Sequence, residues 1–418
     1  MKKLIRGLAG AIALAALSLP ISAPNAQQPV KIGFGMALSG GLAAGGKAGL
    51  LAYQIWAEEV NARGGLLGRK VDLVYYDDQS NPATVPGIYT KLLDVDKADL
   101  VMSGYATVPT AAAMPIIIQR NKLFMSLFAL GANNQFDYPR YFQIMPSGPD
   151  PKPAFSEGFF AAAAKLPSKP KTVAMAGADA EFSVNAMEGA RENIKKMGFE
   201  IVYDKTYPPN TIDFTPIVRA MKARNPDLFY IASYPPDSAG MISAVNEVGV
   251  QAQMIGGSMV GVQFAALKGK FGSLLNNWTN YEYFVPAPTM KFAGMDEFLK
   301  KYRERAVPAG VDALGLYIPI YAYAEMQILE AAVRAVGSFD DAKLADYIRA
   351  NEFDTIVGKI KFGRYGEWAK SRILMVQFRG LKGNDLEQFK DPAHSVILFP
   401  EQYKSGDIQV PFDSAKNN

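Results

Sequence analysis

Short apolar segments that read as strands alternate with amphipathic, helix-length segments from Val30 onward, and no other feature of the chain constrains its fold as strongly. The first series runs VKIGFGMAL, a helix near 48–62, KVDLVYYD, a helix with Asn81 as N-cap and Pro82 at its first position, LVMSGY, the helix AAAMPIIIQRN, and LFMSLFA. A second series follows the Pro-rich stretch 146–153: KTVAMAG, a helix around 184–197, EIVYDKTY, a helix around 214–223, DLFYIASY, a helix over 239–248, and QMIGG. Repeated β-α-β units require crossover helices on the sheet faces. They predict an α/β protein of two Rossmann-like lobes, with parallel sheets flanked by helices. Ligands of such folds bind beyond the carboxyl ends of the strands, so the loops there are where function is sought. Segment 298–349 reads as mostly helical, and KIKFGRYGEWAKSRILMVQFRG as a β-hairpin turning at RYGEW.

Ahead of the first strand, Lys2, Lys3 and Arg6 precede an apolar run from Leu8 to Leu19, and small residues lead to Ala26. This is the pattern of a removable export leader, residues 1–26. Its apolar run, about a dozen residues, falls short of the roughly 20 that span a bilayer. The leader holds three of the 44 basic residues and none of the 40 acidic ones, so the remainder carries 41 − 40, or +1. A nearly neutral surface gives no electrostatic basis for binding nucleic acid or an anionic membrane. The absence of cysteine excludes disulfides, thiolate catalysis, Fe–S clusters and the lipid-acceptor cysteine of a lipoprotein. A periplasmic, unanchored protein is therefore expected, and a monomeric one is expected as well. The remaining 392 residues (418 − 26) are long enough for two domains.

Several motifs suggest nucleotide or catalytic chemistry and fail on inspection. Gly41 to Lys47 fits the GxxxxGK phosphate-loop spacing, but Ala48 stands where a Mg²⁺-binding Ser or Thr is needed. Gly33-Phe-Gly35 is followed by Leu38 at the third glycine position of a dinucleotide fingerprint. Asp77, Asp78 and Ser80, at the end of the second strand, read as turn and capping residues. His394 is the single histidine, so neither a His-based triad nor a His/Cys zinc site has partners. The paired acids Glu58-Glu59 and Asp340-Asp341 are sequence neighbours, which on a helix point about 100° apart and suit solvated faces and caps. No catalytic residue, cofactor or metal site is expected, and binding remains. The enzymatic alternative would have to use Asp77, Asp78 and Glu181.

The segments MALSGG, Val60-Asn-Ala-Arg-Gly-Gly-Leu-Leu-Gly68-Arg-Lys-Val-Asp-Leu and Asp77-Asp78-Gln-Ser-Asn-Pro resemble the branched-chain amino acid-binding proteins that serve ABC importers. The likeness extends over the chain beyond the leader, with DLFYIASYPPDSAGMISAVNEVG and DTIVGKIKFGRYGEW as later landmarks. It implies a type 1 periplasmic binding fold with three hinge crossings, near 145–149, 281–286 and 357–362. Lobe 1 would comprise 30–146 plus 284–357, lobe 2 147–283 plus 358–410, and 411–418 would form a tail. The stretch after Arg379 runs past the family pattern and is expected to pack along one lobe.

The resemblance also implies site residues. Thr107 corresponds to the hydroxyl residue that holds the ligand carboxylate. Leu130, beside Ala129, replaces a second threonine and retains only its backbone N–H. Phe182 and Tyr234 match aromatic positions. Ser258 stands where an acidic residue normally receives the ligand ammonium, and Gly45 where a bulky residue is common. With Tyr105 and Met259, these substitutions imply a wider, more apolar pocket. The expected function is a receptor that captures a small carboxylate, aromatic or otherwise hydrophobic, by hinge closure and delivers it to a membrane permease. A receptor for a hydrophobic amino acid or small amide, a ligand sensor, and an exported enzyme remain as alternatives.

Overall fold

The computed structural model describes residues 28–416; the expected leader and the last two residues of the expected tail lie outside the described residues. The first lobe is built on β1 (Val30–Met36), β2 (Val71–Asp77), β3 (Leu100–Tyr105), β4 (Phe124–Leu127) and β5 (Tyr141–Gln143), joined through α1 (Ala43–Ala62), α2 (Val85–Asp94) and α3 (Thr107–Gln119). These strands form one parallel sheet in the order β2-β1-β3-β4-β5. The chain then crosses to α4 (Pro151–Ala164), β6 (Thr172–Ala178), α5 (Glu181–Met197), β7 (Glu200–Tyr207), α6 (Thr215–Lys222), β8 (Leu228–Ser233) and α7 (Pro235–Val248). β9 (Gln251–Ala252), β10 (Met254–Met259), α8 (Ala265–Phe271) and β11 (Thr279–Glu282) complete that run. It returns to the first lobe for α9 (Met295–Ala306), α10 (Ile318–Val336), α11 (Asp341–Ala350), β12 (Glu352–Thr355) and β13 (Gly358–Lys361). β14 (Leu374–Phe378), β15 (Ser395–Phe399) and β16 (Phe412–Asp413) end the chain. The second sheet has seven strands in the order β15-β14-β11-β10-β8-β6-β7.

The apolar run of β1 is buried along nearly its whole length, as expected of a parallel strand covered on both faces. The NARGGLLG turn forms as the sequence implies. Gly65 takes φ 78°, and a Cβ there would lie 1.9 Å from the Arg69 carbonyl oxygen. The acid pairs are spent on structure: Asp340 caps α11 by accepting from the N–H groups of Ala342 and Lys343, and Glu58 and Glu59 pair with Arg305 and Lys301. His394 places Nδ1 2.7 Å from the Arg379 carbonyl oxygen.

Several boundaries differ from expectation. α1 starts at Ala43, so Gly41–Lys47 leads into a helix and forms no phosphate cradle. Asn81 makes an Asx turn, its Oδ1 accepting from Ala83 N–H at 3.0 Å, and α2 begins later, at Val85. The expected hairpin divides between lobes. β13 pairs with β12, whereas LMVQF becomes β14, inserted antiparallel between β11 and β15. RYGEW stays with the first lobe: Gln143 N–H donates to the Gly366 carbonyl at 2.7 Å, and Asn133 Nδ2 to the Tyr365 carbonyl at 3.0 Å. The third crossing therefore falls near 369–373 rather than 357–362, which carries lobe 1 past 357. The tail boundary also shifts, because Phe412–Asp413 pairs with β9 and the Phe412 ring packs against Trp278.

Beneath α1, α10 buries Glu325, whose Oε2 accepts from the Tyr53 hydroxyl at 2.5 Å. Its Oε1 has no partner, and burial pushes the carboxyl up to about 8 despite the Tyr53 bond.

Candidate functional site

The carboxyl ends of β3 and β4 face those of β6, β8 and β10 across a narrow cleft. From the first lobe Tyr105, Ala106, Thr107 and Phe128 line it, and from the second Phe182, Tyr234 and Val260. Met145 and Tyr283 enter from the first two crossings, and Tyr317 from the residue before α10. The enclosed volume is about 20 Å³, room for a single water. Larger cavities of about 650, 710 and 680 Å³ lie elsewhere, but none gathers strand ends from both lobes.

Two features give this cleft a polar pole. Thr107 opens α3, where the N–H groups of Thr107 and Val108 have no intrahelical acceptor, Pro109 has none to offer, and Thr110 N–H is bonded to the Ala106 carbonyl; the two remaining donors lie at the positive end of the helix dipole. Its Oγ1 accepts from Leu130 N–H at 3.0 Å, which leaves the hydroxyl proton to donate to a ligand. The residue before it, Ala106, sits at φ 89°, ψ 159°, a region that costs a side-chain-bearing residue on the order of 1–3 kcal/mol. Phe128, at φ 63° on the adjacent loop, is a second such residue. Backbone strain of this kind concentrates where a binding loop must hold a set geometry.

The rest of the wall is aromatic. Phe128 lies 4.9 Å, 5.2 Å and 5.3 Å from the rings of Tyr283, Tyr317 and Tyr321, and Tyr283 stacks on Tyr317 at 5.6 Å. On the opposite lobe Phe182 meets Tyr234 edge-on at 5.9 Å and donates its backbone N–H to the Tyr234 hydroxyl. Burial pushes the hydroxyls of Tyr105, Tyr234, Tyr283 and Tyr317 well above the ordinary phenol range, so they stay neutral donors. Among the described residues no charged side chain lines the cavity. Asp237, nearby on α7, accepts from the Tyr207 hydroxyl instead.

Of the residues expected from the resemblance, Tyr105, Thr107, Phe182 and Tyr234 come together here. Leu130 contributes through its backbone: its N–H reaches Thr107, and its carbonyl accepts from Asn185 Nδ2 on the other lobe at 3.0 Å. Ala129 is sealed in the first-lobe core. Ser258 faces away from the cleft. Its hydroxyl pairs with the Tyr230 hydroxyl at 2.6 Å, and Phe155 O lies 3.4 Å away, because strand alternation turns it toward α4. Met259 is also buried, its backbone N–H and carbonyl both bonded to the Asn280 side chain. The chain turns at the strand end, and Val260 is the residue that reaches the cavity.

Gly45 does not widen the cleft. It lies on α1 behind Tyr105, and a Cβ there would fall 2.3 Å from the Tyr105 ring. The missing side chain makes room for that ring. Gly45→Ala is accordingly expected to push Tyr105 into the cavity. It should cost about 1–3 kcal/mol of stability by overpacking and weaken ligand binding as well, read by calorimetric titration beside thermal unfolding. Unchanged binding would show that the ring can move elsewhere. Sequence reasoning missed Ala106, Phe128, Met145, Val260, Tyr283 and Tyr317. Four of them, Ala106, Phe128, Val260 and Tyr283, sit immediately beyond strand ends, which is the one signal that could have found them.

Two α/β lobes joined by three crossings, with a helix N-terminus and a ring of aromatics between them, form the architecture of a two-lobed ligand-binding protein. The periplasmic binding protein family matches residues 29–384, and the chain belongs to it. The Leu/Ile/Val-binding protein of Escherichia coli (strain K12) is 24% identical over 366 residues, covering 86% of this chain and 92% of that protein. A branched-chain amino acid transporter substrate binding protein from Streptococcus pneumoniae, solved with isoleucine, superposes with a TM-score of 0.71 at 19% identity, covering 85% and 98% of the two chains. A solute-binding protein of an ABC transporter from R. palustris, solved with benzoate, gives 0.71 at 18% identity, covering 88% and 95%. The fold is that of the type 1 periplasmic binding proteins, and the likeness read from the opening segments holds. Among the described residues no helix is long and apolar enough to cross a membrane.

Proposed function

We propose that this protein is the periplasmic receptor of an ABC importer and captures a small carboxylate with an aromatic or hydrophobic body, closing its lobes over it for delivery to the permease. The observation that carries this reading is an asymmetry of the cleft. Thr107 and the start of α3 offer a pole for an anion, and rings surround it, yet no carboxylate lines the cavity to receive an ammonium. Burying an amino acid's ammonium without such a partner would cost several kcal/mol. The absent acid, first inferred from Ser258, is absent at Val260 as well. The neighbour solved with benzoate supports the aromatic class, and the one solved with isoleucine represents the competing one. Asp77, a candidate for the enzymatic reading, has its carboxylate occupied by Leu38 N–H and by both the N–H and hydroxyl of Ser39.

Thermal unfolding in the presence of candidate ligands tests the proposal. Benzoate-like acids are expected to stabilise the protein by about 2.7 kcal/mol at 100 times their dissociation constant. If leucine and valine raise the melting temperature and benzoate-like acids do not, the reading of the cleft is wrong.

A further inference from the structure

We propose that the hinge carries a second ligand site, for a free, multiply charged oxyanion of the phosphate type. This site is independent of what the interlobe cleft binds. The starting observation is Arg372, which is only 7% exposed and sits in the third crossing. Its Nη1 donates to the Val357 carbonyl at 2.5 Å and its Nη2 to the Tyr321 hydroxyl at 3.3 Å. The guanidinium lies 4.9 Å from the Trp368 ring centroid and 5.1 Å from that of Phe292. Its Nε has no partner. Among the described residues no carboxylate lies within 4.0 Å of it. Carbonyl and hydroxyl take two of its five N–H hydrogens and rings cover its faces, which leaves a buried positive charge without a counterion, an arrangement that is costly unless an anion balances it.

Arg372 borders a solvent-open cavity of about 680 Å³ that also holds Lys291, Lys359 and Lys370. Asp354, the one carboxylate in the lining, is within 3.6 Å of Lys359, which also pairs with Glu352 at 2.8 Å. Lys291 and Lys370 make no ion pair among the described residues. Arg372 covers one face each of Trp368 and Phe292, and the three lysines put their charge at the solvent-open rim. Lysines at the rim act as point charges, which suits a compact phosphate-like ion more than a flat organic acid.

The cavity also touches both lobes and two crossings: Lys291 follows the second crossing, Lys370 lies in the third, and Tyr403 belongs to the second lobe. Arg372 reaches Tyr321, whose hydroxyl donates to the Tyr283 carbonyl at 2.8 Å and whose ring touches Phe128 in the cleft wall.

Calorimetric titration of inorganic phosphate into the protein in a chloride buffer tests the site. One saturable site is expected in the unaltered chain. It should weaken at least about tenfold in Lys291→Ala/Lys370→Ala, where two contacts to a charged group are lost, and stay unchanged in Thr107→Ala. Both lysines are exposed, so the double variant keeps its packing. Three results would each overturn the proposal: no saturable phosphate binding, binding indifferent to the lysine pair, or binding lost with Thr107.

Discussion

Replacing Thr107 by alanine is expected to weaken ligand binding about 10- to 150-fold, the 1.5–3 kcal/mol typical of a hydrogen bond to a charged group. The hydroxyl oxygen is already engaged by Leu130 N–H, so its proton has one direction left in which to donate, toward a ligand at the start of α3. Truncation removes that donor and also leaves Leu130 N–H without its acceptor at a buried position. Thr107→Ser keeps the hydroxyl and is expected to bind within a few-fold of the original, whereas Thr107→Val keeps the shape and should fail as alanine does. Titration calorimetry with the ligand found by thermal screening separates the three. Equal affinity in Thr107→Ala would take this residue out of the site.

Glu325→Gln is expected to stabilise the folded protein at pH 8 by on the order of a few kcal/mol and to do little at pH 4. Burial raises the folded-state carboxyl to about 8, against an ordinary value of 4.5. Between those values the unfolded chain releases a proton that the folded chain retains, so stability falls as pH rises through that window. Below 4.5 both states are protonated and the cost disappears; above about 8 it is present in full. Glutamine stays neutral and can still accept from the Tyr53 hydroxyl, which removes the slope. Urea unfolding of both proteins at pH 4, 6 and 8 reads the difference. Parallel pH profiles would mean that the Glu325 carboxyl ionises as freely in the fold as in water.

The two-lobed α/β architecture was legible because long apolar strands such as VKIGFGM can be covered only by crossover helices. Which sheet a strand joins was not. LMVQF looks like the return strand of the hairpin after KIKF, and only its pairing with β11 and β15 places it in the other lobe. The site divides the same way. Thr107 lies two residues past β3 and Tyr234 immediately past β8, where any parallel sheet presents its ligand contacts. Tyr283 and Tyr317 arrive from a crossing and from the approach to a helix, so their meeting with Phe128 depends on how the hinge folds. Ser258 was misplaced because strand alternation in β10 aims it at α4 rather than the cleft, and Gly45 because the use of an empty position depends on which neighbour fills it.

The aromatic wall has a consequence for the thermodynamics of recognition. Rings that already shield one another contribute little newly buried surface, so the negative change in heat capacity on capture should come from the ligand's own apolar area and from the faces the lobes bury as they close. Affinity then rests on exchanging ring–ring contacts for ring–ligand contacts of similar kind. The side chains of the closed cleft become the reference against which every ligand is compared, and a poorly shaped molecule loses to the protein's own tyrosines before it is compared with any other solute.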